Sequence, residues 1–254
     1  MIGCIIQARM GSKRLPGKVM MQVDKHNPSI SYTLNQIKFC KKINDVIVAT
    51  STKKEDDILV DYLEKNKINI FRGKSDDVLD RYYQCAKEKQ FDNIVRITAD
   101  CPLIDPVIVD SVIEQFEKSK VDYISNVHPR TFPDGCDVEV FSFTAIENAW
   151  KNATLPSERE HVTPYIWKNS EKFSIDNYQN HKNLSKLRWT LDYNDDLILI
   201  RKIITEVNSR PITLNQILTL LARKPELIKI NDGHGSTEGY QRSLKNDEKF
   251  LKND

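Results

Sequence analysis

The sequence has 254 residues, 39% of them hydrophobic and 29% charged, which fits one large α/β domain with at most a small accessory piece. A formal net charge of +2 excludes whole-protein attraction to nucleic acid or anionic lipid, so anion binding must come from a local cluster. The first residues lack the cationic and apolar regions of a signal peptide, and no stretch approaches the roughly 20 apolar residues needed to span a bilayer.

The chain opens on a short apolar run, residues 2–7, that reads as a buried parallel strand. Residues 30–40 have apolar positions at helical spacing. Strands are then predicted at 45–50, 68–71 and 93–98, and helices at 55–65, 76–89 and 106–118. Ser75 or Asp76 can cap the helix at 76–89. Asp105 followed by Pro106 has the form of an N-cap and first helical position. Strand and helix in this alternation predict a Rossmann-like, mostly parallel sheet flanked by helices, with ligands at the carboxyl ends of the strands. From about residue 121 the rhythm changes. Strands at 121–126, 138–143 and 173–176 and a helix at 144–152 suggest an antiparallel addition or an oligomerisation arm. A returning strand at 187–192, a helix at 195–207 capped by Asp195, and a helix at 214–223 follow. One folded domain is expected over 1–231, in a first half to about 120 and a later part at about 121–186. Residues 232–254 read as a polar surface tail, in part helical.

Five cysteines (Cys4, Cys40, Cys85, Cys101 and Cys136) are scattered and form no C-x-x-C pair. That argues against a disulfide framework or structural zinc and for a reducing cytoplasm. All five read as small buried apolar side chains.

Five segments carry chemistry. In QARMGSKRLPGK, residues 7–18, Arg9, Lys13, Arg14 and Lys18 crowd a loop with Gly11, Ser12 and Gly17 directly after a strand. Glycines let backbone N–H groups approach an anion while the cations supply charge, and a triphosphate is the natural guest. The spacing is neither G-x-x-x-x-G-K-[ST] nor G-x-G-x-x-G; a solvated basic turn is the plainer alternative. In RITADCPLID, residues 96–105, Asp100 sits just past a strand as an oxygen donor suited to Mg²⁺, or as a turn aspartate. In LDYNDDL, residues 191–197, Asp192 can meet Asp100 in space. In TFPDGCDVEVF, residues 131–141, Asp137 and Glu139 share one strand face. They can accept from sugar hydroxyls or form the wet side of an amphipathic strand. In SEREHVTPYI, residues 157–166, Arg159 and His161 can face a substrate carboxylate or belong to a charged helix start.

In this order, IIQARMGSKRLPGK, RITADCPLIDP, TFPDGCDVEVFSFTA, EREHVTPYIW and LRWTLDYNDDL closely resemble the spore-coat polysaccharide biosynthesis protein F family, within the acylneuraminate and CMP-Kdo cytidylyltransferases. The resemblance covers roughly residues 2 to 200. It implies a Rossmann-like nucleotidyltransferase fold, CTP as donor and Mg²⁺ as cofactor, in the service of surface glycans; an acidic sugar is the expected acceptor and a homodimer the expected assembly. Gln7, Ala8, Arg9, Gly11, Ser12, Arg14 and Lys18 fall in the triphosphate loop, and Arg14 and Lys18 are the expected catalytic cations. Gly73 and Ser75 fall in the segment resembling the base- and ribose-contacting loop. Asp100 and Asp192 match the family's two metal aspartates, with Ala99 in place of the usual glycine. Arg96, Asp137, Glu139, Arg159 and His161 are the expected acceptor-binding set.

Two rivals remain at this stage. A glycosyltransferase on a related sheet should carry a D-x-D motif, and TADCP stands at that strand end instead. A catalytically idle scaffold subunit would not need both aspartates and the basic loop.

Overall fold

The computed structural model describes residues 1–235 and 238–253. Four parallel strands, β1 (Ile2–Gln7), β2 (Asp45–Ser51), β3 (Asn69–Gly73) and β4 (Asn93–Thr98), stand where the apolar runs predict them. Three short strands, β5 (Tyr123–Ser125), β6 (Glu139–Ser142) and β7 (Ile175–Asn177), extend the sheet in the order β3-β2-β1-β4-β6-β5-β7. Only β6 runs against its neighbours β4 and β5. The expected α/β sheet with an antiparallel addition is therefore the observed architecture.

Helices cover both faces, so β1 is buried and free of polar side chains from Ile2 to Ile6 instead of alternating with polar residues. In β1, Cys4 and Ile6 face a core shared with α2 (Asp57–Lys65), α4 (Pro106–Ser119), α8 (Asn194–Glu206) and α9 (Leu214–Arg223). Ile5 faces the opposite core, filled by α3 (Val78–Glu88) and α5 (Phe143–Asn152). Each buried aliphatic side chain stabilises this sandwich by about 1.5–3 kcal/mol. The first crossover helix is α1 (Ser29–Ile37). Two short helices, α6 (Pro156–His161) and α7 (Pro164–Lys168), begin at prolines; α6 packs against α3, and α7 against α5 and α6.

Several local expectations change. Residues 187–192 form no strand but an extended strip with a single bridge between Asp134 and Arg188. Its hydrogen bonds go to a turn and a loop: Trp189 N–H donates to the Asp134 carbonyl at 2.8 Å and Leu191 N–H to that of Asp100 at 2.7 Å. Asp195 does not cap α8. It is exposed in the first turn, while buried Asp196 accepts from the N–H groups of Asp192 and Tyr193 at 2.9 and 3.0 Å. Asp77, not Ser75 or Asp76, caps α3 by accepting from Asp80 N–H at 2.9 Å. Asp105 caps α4 as its sequence indicates, accepting from Val107 N–H at 2.8 Å. Four cysteines are buried and Cys40 is half-buried. The polar stretch after residue 232 contains α10 (Glu238–Asn253), which does not stand off in solvent: Asp247 accepts from Ser157 N–H at 2.8 Å and fastens it to α6. No helix among the described residues is long and apolar enough to cross a membrane.

Candidate active site

The basic loop after β1 is a closed turn. The Met10 carbonyl accepts from Ser12 N–H at 2.8 Å and Gly17 N–H at 2.9 Å, and Gly17 takes a left-handed φ of 72° that suits glycine. Leu15 and Val19 anchor it in the core. Fully buried Asp56, just before α2, accepts from Met10 N–H at 2.6 Å and from the Ser51 hydroxyl. The loop is thus held from below, and its cations Arg9, Lys13, Arg14 and Lys18 line a cavity of about 260 Å³.

At the floor of this cavity the end of β4, the basic loop and the strip at 187–192 meet. Asp100 follows β4. Asp192 arrives on the extended strip, positioned by Leu191 N–H and by the Thr190 hydroxyl, which donates to the Asp100 carbonyl at 3.2 Å. Lys18 Nζ donates to Asp100 at 2.6 Å and Asp192 at 2.8 Å, and Arg14 lies 2.6 Å from Asp192. Burial works against charge on both Asp100 and Lys18, but their attraction wins. The Asp100 carboxyl is held at about 2, and the Lys18 ammonium stays above its ordinary value with help from Asp192.

Two carboxylates converging on one ammonium are also within reach of one metal ion. Among the described residues no group of three or more His, Cys, Asp or Glu could hold a metal. Mg²⁺ does not require such a cage, since it is bound by one or two carboxylates and completes its shell with water and substrate phosphates. The donor set fits it, with the Lys18 ammonium standing where a cation is wanted.

A second cavity of about 530 Å³ adjoins the first and shares Arg14, Arg96, Asp100 and His161 with it. Here Arg96 donates to Glu139, which also accepts from the Tyr123 and Thr163 hydroxyls at 2.6 Å each. Burial raises the Glu139 carboxyl, but Arg96 and these hydroxyls bring it below its ordinary value. Asp137 takes both terminal nitrogens of Arg130, one at 2.7 Å. Asp134, beside Arg188 at 3.3 Å, is pushed up to about 7 by burial and by Asp137. His128, Trp167 and Tyr240 give this cavity an aromatic side, with the His128 and Trp167 ring centroids 4.5 Å apart.

Residues 3–207 match the family model described as cytidylyltransferase. The chain belongs to the cytidylyltransferase family. The spore coat polysaccharide biosynthesis protein SpsF of Bacillus subtilis is 31% identical over 87% of this chain and 94% of its own. A cytidylyltransferase structure from Leptospira borgpetersenii superposes with a TM-score of 0.85 at 34% identity, covering 89% of this chain and 96% of that one. The CMP:2-keto-3-deoxy-manno-octonic acid synthetase complexed with CTP shares the fold, with a TM-score of 0.63 at 14% identity over 81% of this chain and 98% of that one.

Within this cytidylyltransferase, Gln7, Ala8, Arg9, Ser12, Arg14, Lys18 and Asp100 all line the first cavity, and Asp192 lines the second. Gly11 lines neither; it packs against the Glu55 side chain. Gly73 and Ser75 lie outside both, Gly73 at the end of β3 against Arg81. Arg96, Asp137, Glu139 and His161 come together around the second cavity. Arg159 does not join them. It donates to Asp77 and, at 2.9 Å, to the Trp150 carbonyl, tying α6 to α3 and α5. Sequence reasoning missed Arg81, Arg130, Asp134 and Arg242. Arg81 sits in an amphipathic helix, where its charge looks like a solvated face, yet it is 1% exposed and lines the first cavity.

Proposed function

We propose that the protein transfers CMP from CTP to an acidic sugar of the nonulosonic or octulosonic type, releasing pyrophosphate, for surface-glycan biosynthesis. The observation that carries this reading is the Arg14–Asp192–Lys18–Asp100 cluster at the floor of a cation-lined cavity at the strand carboxyl ends. A triphosphate in the first cavity and an acceptor in the second would meet at that cluster.

In this reading an acceptor hydroxyl oxygen attacks the α-phosphorus of CTP. A new P–O bond forms as the bond to the β-phosphate oxygen breaks, pyrophosphate leaves with that electron pair, and the hydroxyl proton passes to solvent water. The protein mainly orients the two reactants and neutralises charge. Arg9, Arg14 and Lys18 hold the polyphosphate, and Arg14 and Lys18 exchange their aspartate partners for phosphate oxygens. Asp100 and Asp192 would then hold Mg²⁺, which neutralises phosphate charge and acidifies the attacking hydroxyl. Arg96 and Arg130 are the cations beside an acceptor carboxylate, while Asp137 and Asp134 suit its hydroxyls. The resemblance to sugar-acid cytidylyltransferases supports the acceptor class. Homodimeric assembly and a cytoplasmic location belong to the same reading.

An Arg14→Ala variant tests the nucleotide half. Turnover is expected to fall by about 10²–10³, the loss of one transition-state charge contact, with thermal stability nearly unchanged. Wild-type turnover would remove the assignment. For the acceptor, each acidic sugar is paired with its carboxylate-free analogue at fixed CTP and Mg²⁺. A preference of at least about tenfold in kcat/KM is expected for the acid; equal values contradict the acidic-sugar assignment.

A further inference from the structure

We infer that α10 is a working wall of the phosphate cavity and that Arg242 on it binds the polyphosphate of the nucleotide. The inference rests on the reading that the first cavity receives a triphosphate. Helix α10 lies beyond the residues matched by the cytidylyltransferase family, so nothing in that likeness assigns it a role.

The placement is specific. Gly239, Arg242, Ser243 and Asn246 recur at helical spacing and form one face of α10, and all four line the first cavity. The face is held in register by hydrogen bonds to α6. The Ser243 hydroxyl lies 2.9 Å from His161 Nε2 and donates to Glu160 at 2.8 Å, and Asp247 accepts from Ser157 N–H. At Gly239 the helix passes close to the catalytic loop: a Cβ there would stand 4.0 Å from both terminal nitrogens of Arg14. Tyr193 donates from its hydroxyl to Glu238 at the start of the same helix.

The charges in the cavity give the inference its chemistry. Arg9, Arg14 and Lys18 each have a carboxylate partner. Exposed Arg242 on α10 has no ion pair among the described residues, and neither has Arg81 on α3. Arg81 is almost wholly buried and its Nε has no hydrogen-bond partner, although Nη1 donates to the Lys74 carbonyl at 2.7 Å. A buried guanidinium without a counter-charge is costly unless an anion completes it. The loop, α3 and α10 therefore present cations to one small space from three elements. A polyphosphate can engage all three, whereas a nucleoside monophosphate has too few charges to do so.

The test uses the full chain and equilibrium binding by calorimetry in Mg²⁺, with CTP, CMP and inorganic pyrophosphate as separate probes. Arg242→Ala and Arg242→Gln are expected to weaken CTP and pyrophosphate by about tenfold and CMP by less than about twofold. Arg242→Lys should recover part of the loss. Unchanged CTP affinity, or an equal loss for CMP and CTP, overturns the inference, because a merely structural role would not distinguish the probes. If wild-type protein binds CTP and pyrophosphate with this Arg242 dependence but transfers CMP to no acidic sugar, the inference stands and the CMP-transfer reading falls.

Discussion

Lys18 shows how one side chain can organise a site before any ligand arrives. Its ammonium holds the Asp100 carboxyl well below its ordinary value and, at 2.6 and 2.8 Å, draws Asp100 and Asp192 together in a buried place where two carboxylates alone would repel. Those aspartates are legible in the sequence as acids at strand ends, but their meeting through a lysine eleven residues past β1 is a tertiary fact. Because they act as a unit, Asp100→Asn and Asp192→Asn should each lower turnover by about two orders of magnitude, and the double variant should be little worse than either. Steady-state turnover across an Mg²⁺ titration checks this, and multiplicative losses would separate their roles. Arg159 teaches the opposite lesson. Its sequence context suggests a substrate contact, yet its hydrogen bonds run to Asp77 and the Trp150 carbonyl. Arg159→Ala should cost about 1–3 kcal/mol of stability, read by urea unfolding, and leave the acceptor KM within twofold of wild type. A selective rise in that KM would return Arg159 to the acceptor site.

The strands and crossover helices of the first 120 residues follow from periodicity because each buries a continuous apolar face or stripe. The strip at 187–192 does not, although its Leu-x-Trp-x-Leu alternation looks like a strand. Its N–H groups find loop carbonyls at Asp134 and Asp100 instead of a neighbouring strand. Gly135 is the hinge of that arrangement. Its φ is 106°, and a Cβ would stand 2.7 Å from the Thr190 backbone nitrogen. Gly135→Ala should therefore destabilise by more than about 1 kcal/mol and also reduce turnover, since Thr190 and Leu191 position Asp192. Denaturant unfolding together with kcat reads both effects; an unchanged midpoint would show that the strip tolerates displacement. Helix α10 was hard to read because charged residues crowd its exposed side. The Gly239, Arg242, Ser243, Asn246 face becomes meaningful only once α6 is seen to receive it.

Across the molecule the sheet divides the work, with a cation-rich cavity over β1 and the parallel half, and a mixed acidic and aromatic cavity over β6 and the addition. His161 lies at their junction, and burial, reinforced by nearby Arg96 and Arg9, lowers its imidazole to about 4. In the unfolded chain the same group titrates near 6.5. Between those values the unfolded chain binds a proton that the folded protein does not, so stability rises with pH across the window and is lost as pH falls from about 6.5 to 4. The thermal midpoint should drop over that range, and less steeply in His161→Gln; identical slopes would deny His161 this role. What the sequence leaves open is the acceptor. The second cavity, proposed above to receive it, is assembled from segments far apart in the chain, and Glu139, which reads equally as a sugar ligand or a wet strand face, turns out to brace Arg96. The central claim, CMP transfer from CTP, is most directly tested by pyrophosphate release with each of the four nucleoside triphosphates, Mg²⁺ and a panel of acidic sugars. Release with CTP that requires both Mg²⁺ and an acidic sugar is the predicted result. No release with CTP for any acceptor, or equal release with all four nucleotides, would contradict it.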